Sequence, residues 1–427
     1  MPSHASIRRA HALAPSPRSL RLQPGRHLAA LALAAASMLA TAQTSPSVPT
    51  SAWLGGTGDW ASANWARDGL QPVAFTEDRR VDRQAVIGSV TPGQVTLNQS
   101  VRVLGLEIAR GSSLTLGASG QLINLAPAQT RVAGSLNIGQ DGTVDKRWML
   151  ANDLTLSGAG TTRLAGQGTV VYAQNNHYRL TIEAGHTLTG TGSLGQRDTG
   201  GLQVTNRGRV AVEDRGGMVV SGTFDNQGSM LVRSRLELQR GTQLQQTGAN
   251  SELLLLGQID GRTFISGGVL RGGGQINGQL VLAGGRLELD RQDAASFQVN
   301  GDYFQDGAGT LVLGGRKQGS QLRIGTLQVT GEADLYNTSI AFDIRDQDWR
   351  AGSYEVLRAD GGITGSFDSV LGLPSLWQAG LEQRGTSIWL HVSAVPEPST
   401  ALLALTGLGA LGLARAKRRR STHRSQS

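Results

Sequence analysis

Between residues 43 and 414 the chain holds three histidines, His177, His186 and His391, so any imidazole chemistry in that body must use one of them. None stands in an H-E-x-x-H pair or beside other metal-ligating types, and Asn175-Asn176-His177-Tyr178 reads as an outward turn. No G-x-S-x-G elbow occurs. Cysteine is absent altogether, which removes thiol nucleophiles, thiolate metal sites and thioether-linked haem. Gly190-Thr191-Gly192-Ser193-Leu194-Gly195 spells the G-x-G-x-x-G fingerprint, but that motif needs a helix opening within it, and the residues after Gly195 are polar and Gly-rich with no helical period. Among 59 glycines such a match is expected by chance. Carboxylates remain. Asp343, Asp346 and Asp348 form the densest group, with Glu213-Asp214 and Asp290 with Asp293 as others. Paired acids can cleave glycosidic bonds, and hard oxygen ligands can hold calcium. The first group lacks the Gly and the terminal Glu of a calcium loop, and all three are read as solvated loop acids. No catalytic residue, metal ligand or cofactor is nominated.

Charge narrows the partners. The formal net charge of +8 is concentrated at the ends: eleven basic and no acidic residues lie in 1–42 and 415–427, leaving 29 basic against 32 acidic residues between them. The body is therefore weakly acidic, with no basic stripe interleaved with aromatics, so no nucleic-acid partner is expected.

The elements that must position any site are short strands. Glycine marks off runs such as Ser113-Leu114-Thr115-Leu116, Asp153-Leu154-Thr155-Leu156, Arg179-Leu180-Thr181-Ile182, Arg209-Val210-Ala211-Val212 and Arg286-Leu287-Glu288-Leu289. Most alternate apolar with polar, the period of a half-buried strand, and none is long enough for an amphipathic helix. Gly208, Gly228, Gly248 and Gly268 stand 20 residues apart. A step of that size holding several short strands and Gly/Asn turns describes coils that bury their apolar face only by stacking on one another. The fold expected is all-β: a single-stranded parallel β-helix, or β-solenoid, with an aromatic N-terminal cap and a C-terminal β-module. A β-sandwich is the alternative.

The termini read as addresses. Arg18, Arg21 and Arg26 precede an apolar stretch from Leu28 to Leu39, and Ala40-Thr41-Ala42 supplies a small-x-small cleavage site that would leave Gln43 as the new N-terminus. At the other end, Val395-Pro396-Glu397-Pro398-Ser399 is followed by an uncharged run from Thr400 to Ala414 and then by Arg415, Lys417, Arg418, Arg419 and Arg420. That order suits a short membrane-spanning segment with positive charge on the cytoplasmic side. It resembles the PEP-CTERM sorting domain of Gram-negative bacteria. The resemblance implies recognition by an exosortase, transient anchoring in the inner membrane, removal of the hydrophobic tail, and delivery to the cell surface or an exopolysaccharide matrix. It implies no catalytic activity.

Trp53-Leu54-Gly55-Gly56-Thr57-Gly58-Asp59-Trp60, followed by Asn64-Trp65, resembles the W-x-G-G…W…N-W opening of β-helical adhesin and autotransporter passenger proteins. Trp53, Trp60 and Trp65 are read as a cap over the first coil, with carbohydrate contact as the sharper alternative. The expected organisation is a signal peptide over 1–42, a Trp-rich cap over 43–94, a solenoid body over 95–342, a β-module over 343–393, a sorting tail over 394–420 with its membrane span at 400–414, and a disordered basic tail over 421–427. The expected function is that of a non-enzymatic surface or matrix protein, adhesin-like and associated with exopolysaccharide. The alternative is a polysaccharide lyase or glycoside hydrolase on the same scaffold.

Overall fold

The computed structural model describes residues 49–66, 83–117, 119–125, 128–139, 146–175, 177–196, 201–289 and 296–395. The expected signal peptide, its cleavage site at Ala40, Ala42 and Gln43, Asp290 and Asp293, the motif residues Pro396 to Ser399, the 400–414 span and the basic residues Arg415 to Arg420 lie outside the described residues.

Within the described residues the alternating runs form strands of mostly three to five residues, and each coil contributes one strand to each of three parallel ladders. The first ladder steps from Thr50–Trp53 to Gln84–Ile87, Gly105–Ile108 and onward through Leu154–Ser157, Arg179–Ile182 and Leu202–Asn206. The second includes Ser113–Leu116, Ser135–Ile138 and Thr161–Leu164. The third begins with Ser100–Val103, Gln121–Asn124 and Arg147–Leu150. This is a parallel β-helix, not two face-packed sheets.

Side chains alternate along each strand, so every second residue of every ladder points inward, and successive coils set like on like. Leu154, Leu180, Val204, Phe224 and Leu244 follow one another along the first ladder in this way. Leu114 and Leu136 do so on the second. All are buried in one continuous core. Each buried side chain of this size is worth about 1.5–3 kcal/mol, but only with a coil on either side to cover it.

Coil length is not constant. Thr205 pairs with Asp225 at the 20-residue step, but Thr263 pairs with Leu280 at 17 and Ala333 with Ile363 at 30. Glycine is required where coils meet at corners. A Cβ on Gly208 would stand 2.4 Å from the Glu183 carbonyl oxygen, and one on Gly228 would stand 2.4 Å from the Gly208 carbonyl oxygen.

The first coil is closed by the tryptophans. Trp53 and Trp65 meet edge to face with centroids 5.2 Å apart, and Trp60 lies 4.8 Å from Trp65. Trp65–Ala66 pairs antiparallel with Thr50–Trp53, which covers the edge of the first ladder. At the far end the first two ladders continue past residue 342 through Glu332–Ile344 and Gly362–Leu371. The third ladder reaches Gly352–Ala359, which takes Ser387–Ala394 antiparallel, and Trp377–Arg384 then completes that sheet. Asp343 ends on the long strand, while Asp346 and Asp348 sit in a single exposed 3-10 turn, Asp346–Asp348.

Candidate functional site

The outward positions of the third ladder change character along the helix. From Arg235–Leu238 onward, Arg235, Gln258, Gln275, Gln298, Gln328 and Arg358 occupy the same register position on six successive strands. Two positions further along those strands stand Glu237, Asp260 and Asn277. The result is a stripe of amides ended by two arginines.

The stripe is partly locked. Gln275 Nε2 donates to Gln258 Oε1 at 3.2 Å, Gln258 Nε2 donates to Asp260, and Asn300 Nδ2 donates to Asn277 Oδ1 at 2.7 Å. Asp260 also accepts from Asn277 Nδ2 and Arg235 Nε. Burial pushes the Asp260 carboxyl up, but the Asn277 and Arg235 hydrogen bonds and the Arg235 charge outweigh it and hold the group below the usual carboxylate range. Arg235 is correspondingly pushed up by the hydrogen bond and charge of Asp260.

A cleft of about 550 Å³ opens beside this stripe, lined by Arg215, Arg233, Arg235, Gln258, Gln275 and Gln298 among others. Its concavity comes from the corner residues Gly257, Gly273 and Gly274, which present no side chain. A Cβ on Gly257 would fall 2.0 Å from the Ser234 carbonyl oxygen, so the close stacking of coils excludes larger residues there. A second cleft of about 190 Å³ follows, lined by Gln298, Asn300, Gln328, Thr330, Arg358 and Asp360. Gln298 borders both.

A different arrangement occupies the antiparallel sheet. His391 Nδ1 lies 2.8 Å from Ser353 Oγ, and its Nε2 lies 2.8 Å from Glu382 Oε2. The order hydroxyl, imidazole, carboxylate is that of a nucleophilic triad. Arg384, however, donates to Glu382 Oε2 at 2.9 Å, and that hydrogen bond holds the Glu382 carboxyl below its ordinary range. Glu382 is 51% exposed at its side chain, so the group sits in water, where ion pairs and hydrogen bonds are weak.

The remaining sequence candidates are placed as follows. Trp53, Trp60 and Trp65 are 0%, 0% and 2% exposed, packed on one another, so none of the rings offers a free face on which a sugar could stack. His177 lies exposed in a turn. His186 is buried, with Nε2 2.9 Å from Thr162 Oγ1. Glu213 and Asp214 are ion-paired with Arg233 and Arg163. Gly190 to Gly195 spans the corner between Thr187–Gly190 and Gly192–Leu194, a strand-to-strand turn. The amide stripe and its cleft were not among the sequence candidates. Of the proposed sorting residues, Val395 is described; its N–H donates to the Leu376 carbonyl at 2.9 Å, directly after the last strand.

Residues 394–420 match the PEP-CTERM protein-sorting motif. The chain carries a PEP-CTERM sorting motif. A PEP-CTERM protein is exported, held transiently at the membrane, processed by exosortase and sorted to the cell surface. Here the PEP-CTERM segment begins at Ala394, the last residue of the final strand, so the motif directly follows the folded body. No helix among the described residues is long and apolar enough to cross a membrane. No curated protein matches the chain.

Proposed function

We propose that the mature protein is a non-enzymatic structural component of the cell surface or extracellular matrix, adhesin-like in use and associated with exopolysaccharide. The observation that carries this reading is a stacked β-helix whose last strand ends where the PEP-CTERM motif begins. Such a body presents long rows of identical outward positions, which suits repeated weak contacts with a polymer more than turnover of a small substrate.

The carboxylates near the cleft support the same reading. Glu213 pairs with Arg233, Glu237 and Asp260 pair with Arg235, and Asp360 pairs with Arg358. A glycosidic general acid needs a raised pKa, whereas the hydrogen bonds on Asp260 lower its own. A polysaccharide-active enzyme is the second reading, and release of reducing ends or unsaturated products by the secreted protein would establish it.

Sorting is tested by replacing Pro396, Glu397 and Pro398 with alanine and fractionating the cells. The expected outcome is an unprocessed chain accumulating in the inner membrane, with the surface and medium depleted. Unchanged processing and release would remove the exosortase route from this account.

A further inference from the structure

We infer that the outward face of the third ladder, from Arg235 to Arg358, is a binding groove for an extended polysaccharide chain lying along the stack of coils. The inference rests on the exopolysaccharide association proposed above and gives it a location and a chemistry.

Length comes first. Six strands at ~4.8 Å per rung put the two terminal arginines about 24 Å apart. A monosaccharide would cover only a rung or two, whereas a polymer meets the same position again and again. Gln298 lines both clefts, so the two concave stretches lie one after the other along the stripe.

Donor and acceptor chemistry comes second. A side-chain amide offers both donors and an acceptor, and a sugar hydroxyl likewise both donates and accepts. Gln298 and Gln328 are exposed and make no side-chain hydrogen bond among the described residues, while Gln258 and Gln275 are held in place by each other and by Asp260. The stripe therefore combines a fixed half with a half whose hydrogen-bonding capacity is unspent.

Charge comes third. Arg233 and Arg235 are matched by Glu213, Glu237 and Asp260, so the groove lacks the uncompensated cation row that a nucleic acid would need. Arg215, exposed at the rim, has no ion-pair partner among the described residues. It is the group that would take a carboxylate substituent on the chain.

The test uses the secreted protein and three immobilised chains: polysaccharide purified from the producing cells' own matrix, alginate as a defined polyuronate, and a mixed-linkage β-glucan as a defined neutral chain. Binding to at least one is expected, strengthening with chain length. Gln298→Ala and Gln328→Ala should each weaken it roughly 2- to 10-fold, the span of one lost hydrogen bond. The triple variant with Arg215→Ala should lose it, and Arg215→Ala alone should cost more on alginate than on the glucan. Gln203→Ala with Gln245→Ala, on the first ladder, should change nothing. All five positions project outward, and the thermal transitions should match that of the parent. Binding that survives the triple variant would overturn this groove while leaving the matrix association standing. No binding to any of the three chains would overturn both.

Discussion

Burial decides the state of His186. Its ring is fully enclosed with Nε2 2.9 Å from Thr162 Oγ1, and desolvation outweighs the backbone groups of Gly158 and Val132 that favour the charged form, so its pKa is lowered from the ordinary 6.5. The sign follows from linkage. The unfolded chain takes up a proton below about pH 6.5 and the folded one resists it, so stability is full above that value and is lost as pH falls through and below it. Midpoints of thermal unfolding measured from pH 7.5 to 5 should decline, and His186→Gln, which keeps a partner for Thr162, should flatten part of that decline. An identical slope in the variant would show that His186 is not the titrating group. Its neutral, buried setting also explains why a lone histidine in a strand-rich sequence gives no guide to chemistry. The tryptophans repeat the point, since Trp53, Trp60 and Trp65 look the same on paper whether they face a sugar or one another.

At the scale of the ladder, one set of polar side chains enters the core as a connected row. Asn206, Asn226 and Gln246 occupy one inward position on three successive first-ladder strands, each fully buried. Asn206 Nδ2 donates to Asn226 Oδ1 at 2.8 Å, Asn226 Nδ2 to Gln246 Oε1 at 3.1 Å, and Gln246 Nε2 to the Gly267 carbonyl at 3.0 Å. Beyond Gln246 the same position is Ile265 and then Leu282, so the row is a local insertion in an aliphatic stack. Asn226→Ala should cost about 1–3 kcal/mol in denaturant unfolding, because it leaves Gln246 Oε1 without its donor. Replacing all three by leucine should cost less than that single change, since no side-chain amide of the row is then stranded and only the backbone carbonyls of Ser229, Glu252 and Gly267 lose a donor. A triple variant worse than the single one would mean the amides specify the register. The strands themselves were legible in the sequence, because alternation within Ser113–Leu116 or Arg286–Leu289 is a local property and burial follows it. The groove was not. Gln258, Gln275, Gln298 and Gln328 are separated by 17, 23 and 30 residues, so no fixed period connects them.

Across the whole described body the coil is the unit of stability, and the even glycine spacing understates how freely its length varies. The step from Gly208 to Gly228 is a true coil, since Arg209 pairs with Ser229. The next two steps of 20 are an average on the second ladder: Ser229 pairs with Glu252 at 23, and Glu252 with Val269 at 17. Insertions are absorbed at corners while the inward positions stay aligned, which is why composition alone could indicate the stack but not its register. Removing residues 222–241 therefore takes out one complete coil. Leu202–Asn206 would then face Gln243–Gln246, placing Val204 against Leu244 and Asn206 against Gln246, while Val210 would meet Leu253 and Met218 would meet Ile259. Each of these inward contacts is apolar on apolar or amide on amide. The shortened protein should fold, keep a strand-dominated circular dichroism spectrum, and show a smaller denaturant m-value because less surface is exposed on unfolding. Removing only 222–231 deletes the first-ladder strand Gly222–Asn226 and most of the second-ladder strand Ser229–Val232 but keeps the third-ladder strand Arg235–Leu238, which breaks the coil and leaves edges and apolar rows exposed, so that variant should aggregate or unfold. If both deletions behave alike, stability does not reside in stacked coils.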